Sequence, residues 1–193
     1  MKLVFATNNP HKLEEARHIL SPGIELKSLK DIGCTDELPE THDTLEDNAL
    51  EKAQYVFSRH HVNCFSEDTG LEVDELNGAP GVYSARYAGP GKNHHDNIQL
   101  LLERMKGLQN REARFRAVIA LILNGKHHLF EGIINGHILS EPVGETGFGY
   151  DPVFMPDGYT QSFAQMSLEE KSKISHRKQA LDKLKNFLAE AST

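Results

Sequence analysis

No apolar run in these 193 residues approaches the length needed to span a bilayer. Nor is there a secretion-signal pattern at the N-terminus, because strand and helix patterns begin by Leu3. Cysteine is scarce. Cys34 and Cys64 stand in no metal or redox spacing, and a cytoplasmic protein would keep both reduced. Basic residues are also in deficit, 21 Lys and Arg against 28 Asp and Glu, for a formal net charge of −7. That balance argues against a wide nucleic-acid face, which needs a basic surface, but leaves room for a small anion in a local positive pocket. No H-E-x-x-H or Cys/His ligand spacing accompanies the eleven histidines. The doublets His60-His61, His94-His95 and His127-His128 would send their side chains apart, so they read as surface residues. A cytoplasmic protein with neither nucleic-acid nor membrane partners is the expectation.

What is present fits one domain, or one domain with two lobes, across residues 1–193. Its 38% hydrophobic and 25% charged residues are ordinary for a globular chain. The richest stretch is the first dozen residues. Leu3 to Ala6 reads as a short buried strand, and Thr7-Asn8-Asn9-Pro10 as turn chemistry. Asn9 can cap a helix whose first turn accepts Pro10, and Leu13, Ala16, Ile19 and Leu20 make one apolar face. A strand ending in a polar turn at a helix N-terminus offers a positive dipole end to an anion, and Lys12 adds a full charge. Phosphate binding without the glycines of a Walker loop is one reading. An ordinary strand-turn-helix with a solvated lysine is the other.

Further along, Ile24 to Leu29 suggests a second strand, and Thr44-Leu45-Glu46-Asp47 opens a helix running to about His60. Leu45, Ala49, Ala53, Val56 and Phe57 form its buried stripe. Val62 to Ser66 should be a strand that ends at Glu67-Asp68-Thr69-Gly70, with Leu71 to Leu76 continuing the sheet. Gly78 to Lys92 is a glycine-rich loop, and a helix follows with Ile98, Leu101, Leu102 and Met105 inward. Asn124-Gly125 joins Ala113–Leu123 to a partner strand from His127 to about Ile134, the clearest hairpin signal in the chain. Gly144 to Asp151 is a second glycine-rich loop, Pro152 to Met155 a short strand, and Ser167-Leu168-Glu169-Glu170 a capping box. A last helix from about Ser175 buries Ala180, Leu181, Leu184, Phe187 and Leu188. Helices at both ends with a hairpin between imply an α/β fold with a mixed, partly antiparallel sheet.

Three clusters carry candidate chemistry on expected loops. Glu40 precedes a helix and Glu67-Asp68 closes a strand; such carboxylates suit a hard cation or the deprotonation of water, or are simply solvated acids. Thr146-Gly147-Phe148-Gly149-Tyr150-Asp151-Pro152 sets two glycines around an aromatic ring that can stack on a ligand or tuck into the core. Lys171 and Ser175-His176-Arg177 offer donors to a base carbonyl or phosphate, unless they are ordinary helix-surface charges.

Their order along the chain is more specific than any one of them. T-x-N-x-x-K, E-T, E-D-T-G-L, G-A-P-G-V-Y-S-A-R-Y, F-G-Y-D-P and E-K-S-x-I-S-H-R follow one another across roughly residues 3 to 188. The series resembles the inosine triphosphate pyrophosphatase family, house-cleaning enzymes that hydrolyse non-standard purine nucleoside triphosphates. The resemblance implies a long twisted sheet in two lobes with the nucleotide in the cleft between them, a homodimer, and Mg²⁺. It also implies cleavage between the α- and β-phosphates. By motif position, Thr7, Asn8, Asn9, Pro10, His11 and Lys12 match triphosphate contacts, and Lys52 a lysine near the phosphates. Asp68 matches the proton acceptor and a metal ligand, Glu40 a second metal contact, and Thr69 a substrate contact. Phe148, Gly149, Tyr150, Asp151, Lys171, His176 and Arg177 match the nucleoside pocket. Glu67 stands where many bacterial members carry Asp, and Thr69 where they carry Ser.

Base selection would follow from donor geometry. Hypoxanthine and xanthine present an oxygen at position 6 and adenine an amino donor, so N–H donors on His176 and Arg177 would accept the former and reject the latter. A pyrophosphatase for modified pyrimidines would not need this His-Arg pair. A nucleotide sensor without turnover would not need Asp68, Glu40 and Lys12 together.

Overall fold

Leu3 to Ala6 do form a buried strand, and the helix begins where Asn9 and Pro10 place it. The computed structural model describes residues 1–191. Its strands are β1 (Lys2–Ala6), β2 (Glu25–Lys27), β3 (Cys64–Val73), β4 (Glu112–Leu123), β5 (Lys126–Ile138) and β6 (Phe154–Pro156). The α-helices are α1 (Pro10–Leu20), α2 (Leu45–His60), α3 (His94–Arg104), α4 (Leu168–Ile174) and α5 (His176–Glu190). The strands make one mixed sheet in the order β2-β1-β3-β4-β5-β6. β1 is parallel to β2 and β3, whereas β5 and β6 are antiparallel. Asn124 and Gly125, both at positive φ, make the tight turn between β4 and β5.

The local expectations hold because each rests on a specific bond. Asn9 caps α1 by accepting from the His11 and Lys12 amides, and Thr44 caps α2 by accepting from Asp47. Ser167 and Glu170 complete a reciprocal capping box on α4.

Two strands differ from the reading of the sequence in a way that bears on function. β3 does not stop at Ser66; it runs unbroken to Val73, so Glu67 and Asp68 are mid-strand residues rather than loop residues. Gly70, within the strand, is required by proximity: a Cβ there would lie 2.5 Å from the Gly81 carbonyl oxygen. β5 likewise continues past Ile134 to Ile138, where β6 pairs with it.

The chain divides into two compact units. The first contains Met1–Asp68, Ala117–Gly132 and the segment from Arg177 on; the second contains Thr69–Arg116 and Ile133–His176. Each has its own core. In the first, Leu3, Phe5, Phe65, Ile119 and Leu121 pack with Ala16 and Leu20 of α1 and Leu181 and Leu184 of α5, and the Phe5 and Phe65 rings stack at 4.3 Å. In the second, Leu71, Phe115, Phe154 and Phe163 pack with Leu101 and Met105.

Candidate active site

The first unit's site begins with an alternation. Successive side chains on a strand leave opposite faces, so two adjacent acids on β3 cannot share one environment. Phe65 joins the core under α1 and α5, and Glu67 follows it on that side, its carboxylate fully buried. Both Glu67 oxygens lie 3.0 Å from Arg177 Nε, and Oε1 lies 3.3 Å from Lys12 Nζ. Arg177 is further held by Glu15, whose Oε2 accepts from a terminal guanidinium nitrogen at 2.8 Å. Burial works against the charged guanidinium, but Glu67 and Glu15 outweigh it and raise its pKa.

Ser66 and Asp68 turn the other way, toward α2. The Ser66 hydroxyl donates to the Ala49 carbonyl, and Lys52 one turn later reaches Asp68 Oδ1 at 3.3 Å. Lys52 Nζ also donates to Glu40 Oε1 at 2.6 Å and to the Glu67 carbonyl at 3.0 Å. Burial favours a neutral Lys52, yet Asp68 and Glu40 more than compensate and raise its pKa. For Asp68, burial dominates and pushes the carboxyl above its ordinary value, opposed by Lys52 and Lys12. Asp68 Oδ2 is buried and has no hydrogen-bond partner among the described residues. A buried carboxylate oxygen left in that condition is costly unless something fills it.

Glu40 is placed by a clamp that fixes the irregular segment before α2. The Thr41 amide and hydroxyl donate to Glu51, at 2.9 and 2.8 Å. Asn48, 1% exposed, accepts from the His42 amide at 2.9 Å and donates to the His42 carbonyl at 3.0 Å. β1 ends with Ala6 opposite Ser66, which sets the Thr7–Asn9 turn at the C-terminal end of a parallel strand, beside Glu67 and Asp68. Ligands of open α/β sheets bind at such strand ends. The His11 and Lys12 amides are occupied by the Asn9 cap, so an anion there meets the helix dipole and the Lys12 ammonium before it meets free amides. Burial lowers the pKa of Lys12, against the pull of Glu67.

The charges of this cluster decide what it can bind. Lys12, Lys52 and Arg177 face Glu15, Glu40, Glu67 and Asp68, three cations against four carboxylates. A bare polyphosphate gains little from such a balance. A hard divalent cation fits it, because Asp68 and Glu40 bring carboxylate oxygens of the type it takes, and phosphates would complete its shell.

The second unit carries the other predicted cluster. Asp151 is buried, and its Oδ2 accepts from the Phe148 amide at 2.8 Å and from Lys171 Nζ at 2.5 Å. Gly147 sits at φ +81°, and a Cβ there would collide with the Asp151 carboxylate, so the glycine is needed for this closure. Phe148 is 39% exposed, with the Lys171 ammonium 4.9 Å from its ring centroid. The ring is therefore presented rather than tucked into the core. Tyr150 instead is buried, donating its hydroxyl to the Ser84 carbonyl at 2.8 Å; burial pushes its pKa well up. His176 is buried with its ring stacked 5.0 Å from that of Phe115.

The predicted residues therefore fall into two groups. Thr7 to Lys12, Glu40, Lys52, Asp68 and Arg177 belong to the first unit, while Thr69, Phe148 to Asp151, Lys171 and His176 belong to the second. The neighbours His176 and Arg177 are divided between them. Two positioning groups escape the sequence reading: Glu15 and Asn48. Asn48 and Lys52 leave a trace, since both are polar residues placed on α2's otherwise apolar stripe. Glu15 lies one helical turn after Lys12, where it shares a face with it.

A model of the Ham1 family matches residues 3–187. The dITP/XTP pyrophosphatase of Christiangramia forsetii is 54% identical over 189 residues, spanning 98% of this chain and 100% of that protein. The dITP/XTP pyrophosphatase of Porphyromonas gingivalis is 54% identical over 188 residues, 97% of each chain. Among solved structures, the Ham1 protein of Staphylococcus aureus matches with a TM-score of 0.93 at 35% identity, covering 99% of this chain and 100% of that one.

Proposed function

The chain belongs to the Ham1 family, and from that premise we propose how its residues carry out the reaction. It is a nucleoside-triphosphate pyrophosphatase that hydrolyses non-standard purine nucleotides, inosine and xanthosine triphosphates and deoxyinosine triphosphate, to the monophosphate and pyrophosphate. The chain acts as one pyrophosphatase domain, as a homodimer in the cytoplasm. Two features support this reading of its setting: no helix among the described residues is long and apolar enough to cross a membrane, and both cysteines are free and buried.

Asp68 is the proton acceptor. Its unsatisfied Oδ2 is the observation that carries the assignment, since Oδ1 is engaged by Lys52 and both Glu67 oxygens by Arg177. Asp68 and Glu40 would hold a divalent cation, Mg²⁺ in this proposal, which when bound supplies positive charge against the phosphate oxygens and the departing pyrophosphate. Asp68 takes a proton from water as the water oxygen bonds to the α-phosphorus and the bond to the α–β bridging oxygen breaks. Lys12 and Lys52 stabilise the charge that develops on the bridging oxygen and the pyrophosphate. The Thr7–Lys12 turn contacts the triphosphate end of the substrate, and Thr69 is a further substrate contact.

Phe148, Gly149, Tyr150, Asp151 and Lys171 form the nucleoside site, with Phe148 as its stacking surface. His176 and Arg177 donate to the 6-oxygen of the base, Arg177 from a position anchored by Glu67 and Glu15. A site of this kind discriminates by ~10⁴ or more, because adenine's amino group would leave buried donors facing a donor. Pyrophosphate release measured across inosine, deoxyinosine, xanthosine, adenosine and guanosine triphosphates with Mg²⁺ tests the assignment. The first three should be turned over with adenosine triphosphate far behind. Equal turnover of adenosine triphosphate would remove the 6-oxygen from recognition.

A further inference from the structure

We propose that His94, at the start of α3, is a positioning residue for the loop that presents Phe148. This rests on the reading of that loop as the nucleoside site. The loop is tied at both ends. Thr146 donates twice to the Ala164 carbonyl, from its amide at 3.2 Å and its hydroxyl at 2.6 Å. Tyr150 is anchored through Ser84, and Asp151 holds the Phe148 amide. Between these ties lies the Phe148–Gly149 peptide, and Gly149 takes φ +62°, a region that a glycine can leave at little cost.

His94 closes that gap from a different element. The Gly149 amide donates to His94 Nδ1 at 2.5 Å. His94 is the first residue of α3, and Asn93 caps the helix by accepting from the His95 and Asp96 amides, which fixes the backbone from which His94 reaches. An Nδ1 that accepts must belong to a neutral imidazole with its proton on Nε2. Phe148 is thereby bracketed: its own amide is held by Asp151 and the next amide by His94, so the backbone that carries the ring is held from two sides before any ligand arrives. Preorganising a binding loop in this way lowers the ordering cost that binding would otherwise carry.

The test compares His94→Ala with His94→Asn, whose Oδ1 stands as many bonds from Cα as the histidine Nδ1 and can accept the same amide. Phe148→Ala serves as the control for the site itself. Amide hydrogen exchange at Gly149 is read in the ligand-free protein by NMR, and KM and kcat for inosine triphosphate are measured alongside. His94→Ala should speed exchange at Gly149 and raise KM about two- to tenfold, the scale of one lost hydrogen bond, with kcat unchanged. His94→Asn should restore both. Unchanged exchange in His94→Ala, or His94→Asn behaving like His94→Ala, overturns the proposal. So does a KM raised by Phe148→Ala but not by His94→Ala. If exchange quickens in His94→Ala while neither it nor Phe148→Ala moves KM, the loop is not the nucleoside site, and the role of His94 in binding falls with that reading.

Discussion

Glu67 and Asp68 are neighbours in sequence and strangers in chemistry. The pleat of β3 sends one to Lys12 and Arg177 and the other to Lys52, and Asp68 retains an oxygen with no hydrogen-bond partner among the described residues. The sequence carries both acids but not their separation, because a strand expected to end at Ser66 hides which face each residue takes. Asp68→Asn keeps the shape and removes the basicity. Its kcat should fall by ~10² or more while nucleotide binding, followed by calorimetry, survives. Near-normal kcat in the folded variant would mean that another group activates the water. Arg177 behaves differently, since it is a buried partner of two carboxylates. Arg177→Ala should cost roughly 3–5 kcal/mol of stability, the usual consequence of stranding a buried charge, and lower the melting temperature measurably. If Arg177 also reads the base, KM for inosine triphosphate should rise much more than KM for adenosine triphosphate in the same variant. An unchanged preference ratio, with the fold intact by circular dichroism, would leave Arg177 a purely structural cation.

At the level of elements, what could be read from the chain is what local chemistry determines. Asn9 with Pro10, Thr44 with Asp47, Ser167 with Glu170 and Asn124-Gly125 each specify a cap or turn through bonds spanning a few residues. Thr44→Ala should accordingly cost about 1 kcal/mol, a shift of a few degrees in thermal unfolding, with kcat little changed. What could not be read depends on distant neighbours. β3 passes through Gly70 because the Gly81 backbone approaches it, and β5 extends because β6 arrives to pair with it. Gly70→Ala should therefore be severe for so small a change. Its methyl meets backbone rather than a movable side chain, and a loss of about 1–3 kcal/mol is expected by denaturant unfolding. Because Gly70 lies two residues from Asp68, activity should suffer beyond the loss of folded protein.

On the scale of the whole molecule, a chain of formal charge −7 binds a polyphosphate, and the resolution of that conflict is local. Three buried or half-buried cations are gathered in the first unit, yet four carboxylates stand among them, so a divalent cation is needed to tip the balance. Chelation should abolish turnover and also weaken binding of the nucleotide itself, which calorimetry with and without metal would show; full-strength binding in chelator would place the cation outside recognition. The order of the motifs along the chain announced the family, because together they span nearly its whole length. The charge pairings and the Asn48 clamp on the Glu40 segment emerge only when α1, α2, β3 and α5 converge. In the proposed reaction, water deprotonated by Asp68 attacks the α-phosphorus. Hydrolysis of inosine triphosphate in ¹⁸O-labelled water, followed by mass analysis of both products, distinguishes attack at the α-phosphorus from attack at the β-phosphorus. The label should appear in inosine monophosphate and be absent from pyrophosphate; label in the pyrophosphate, or release of inosine diphosphate and free phosphate, would contradict it.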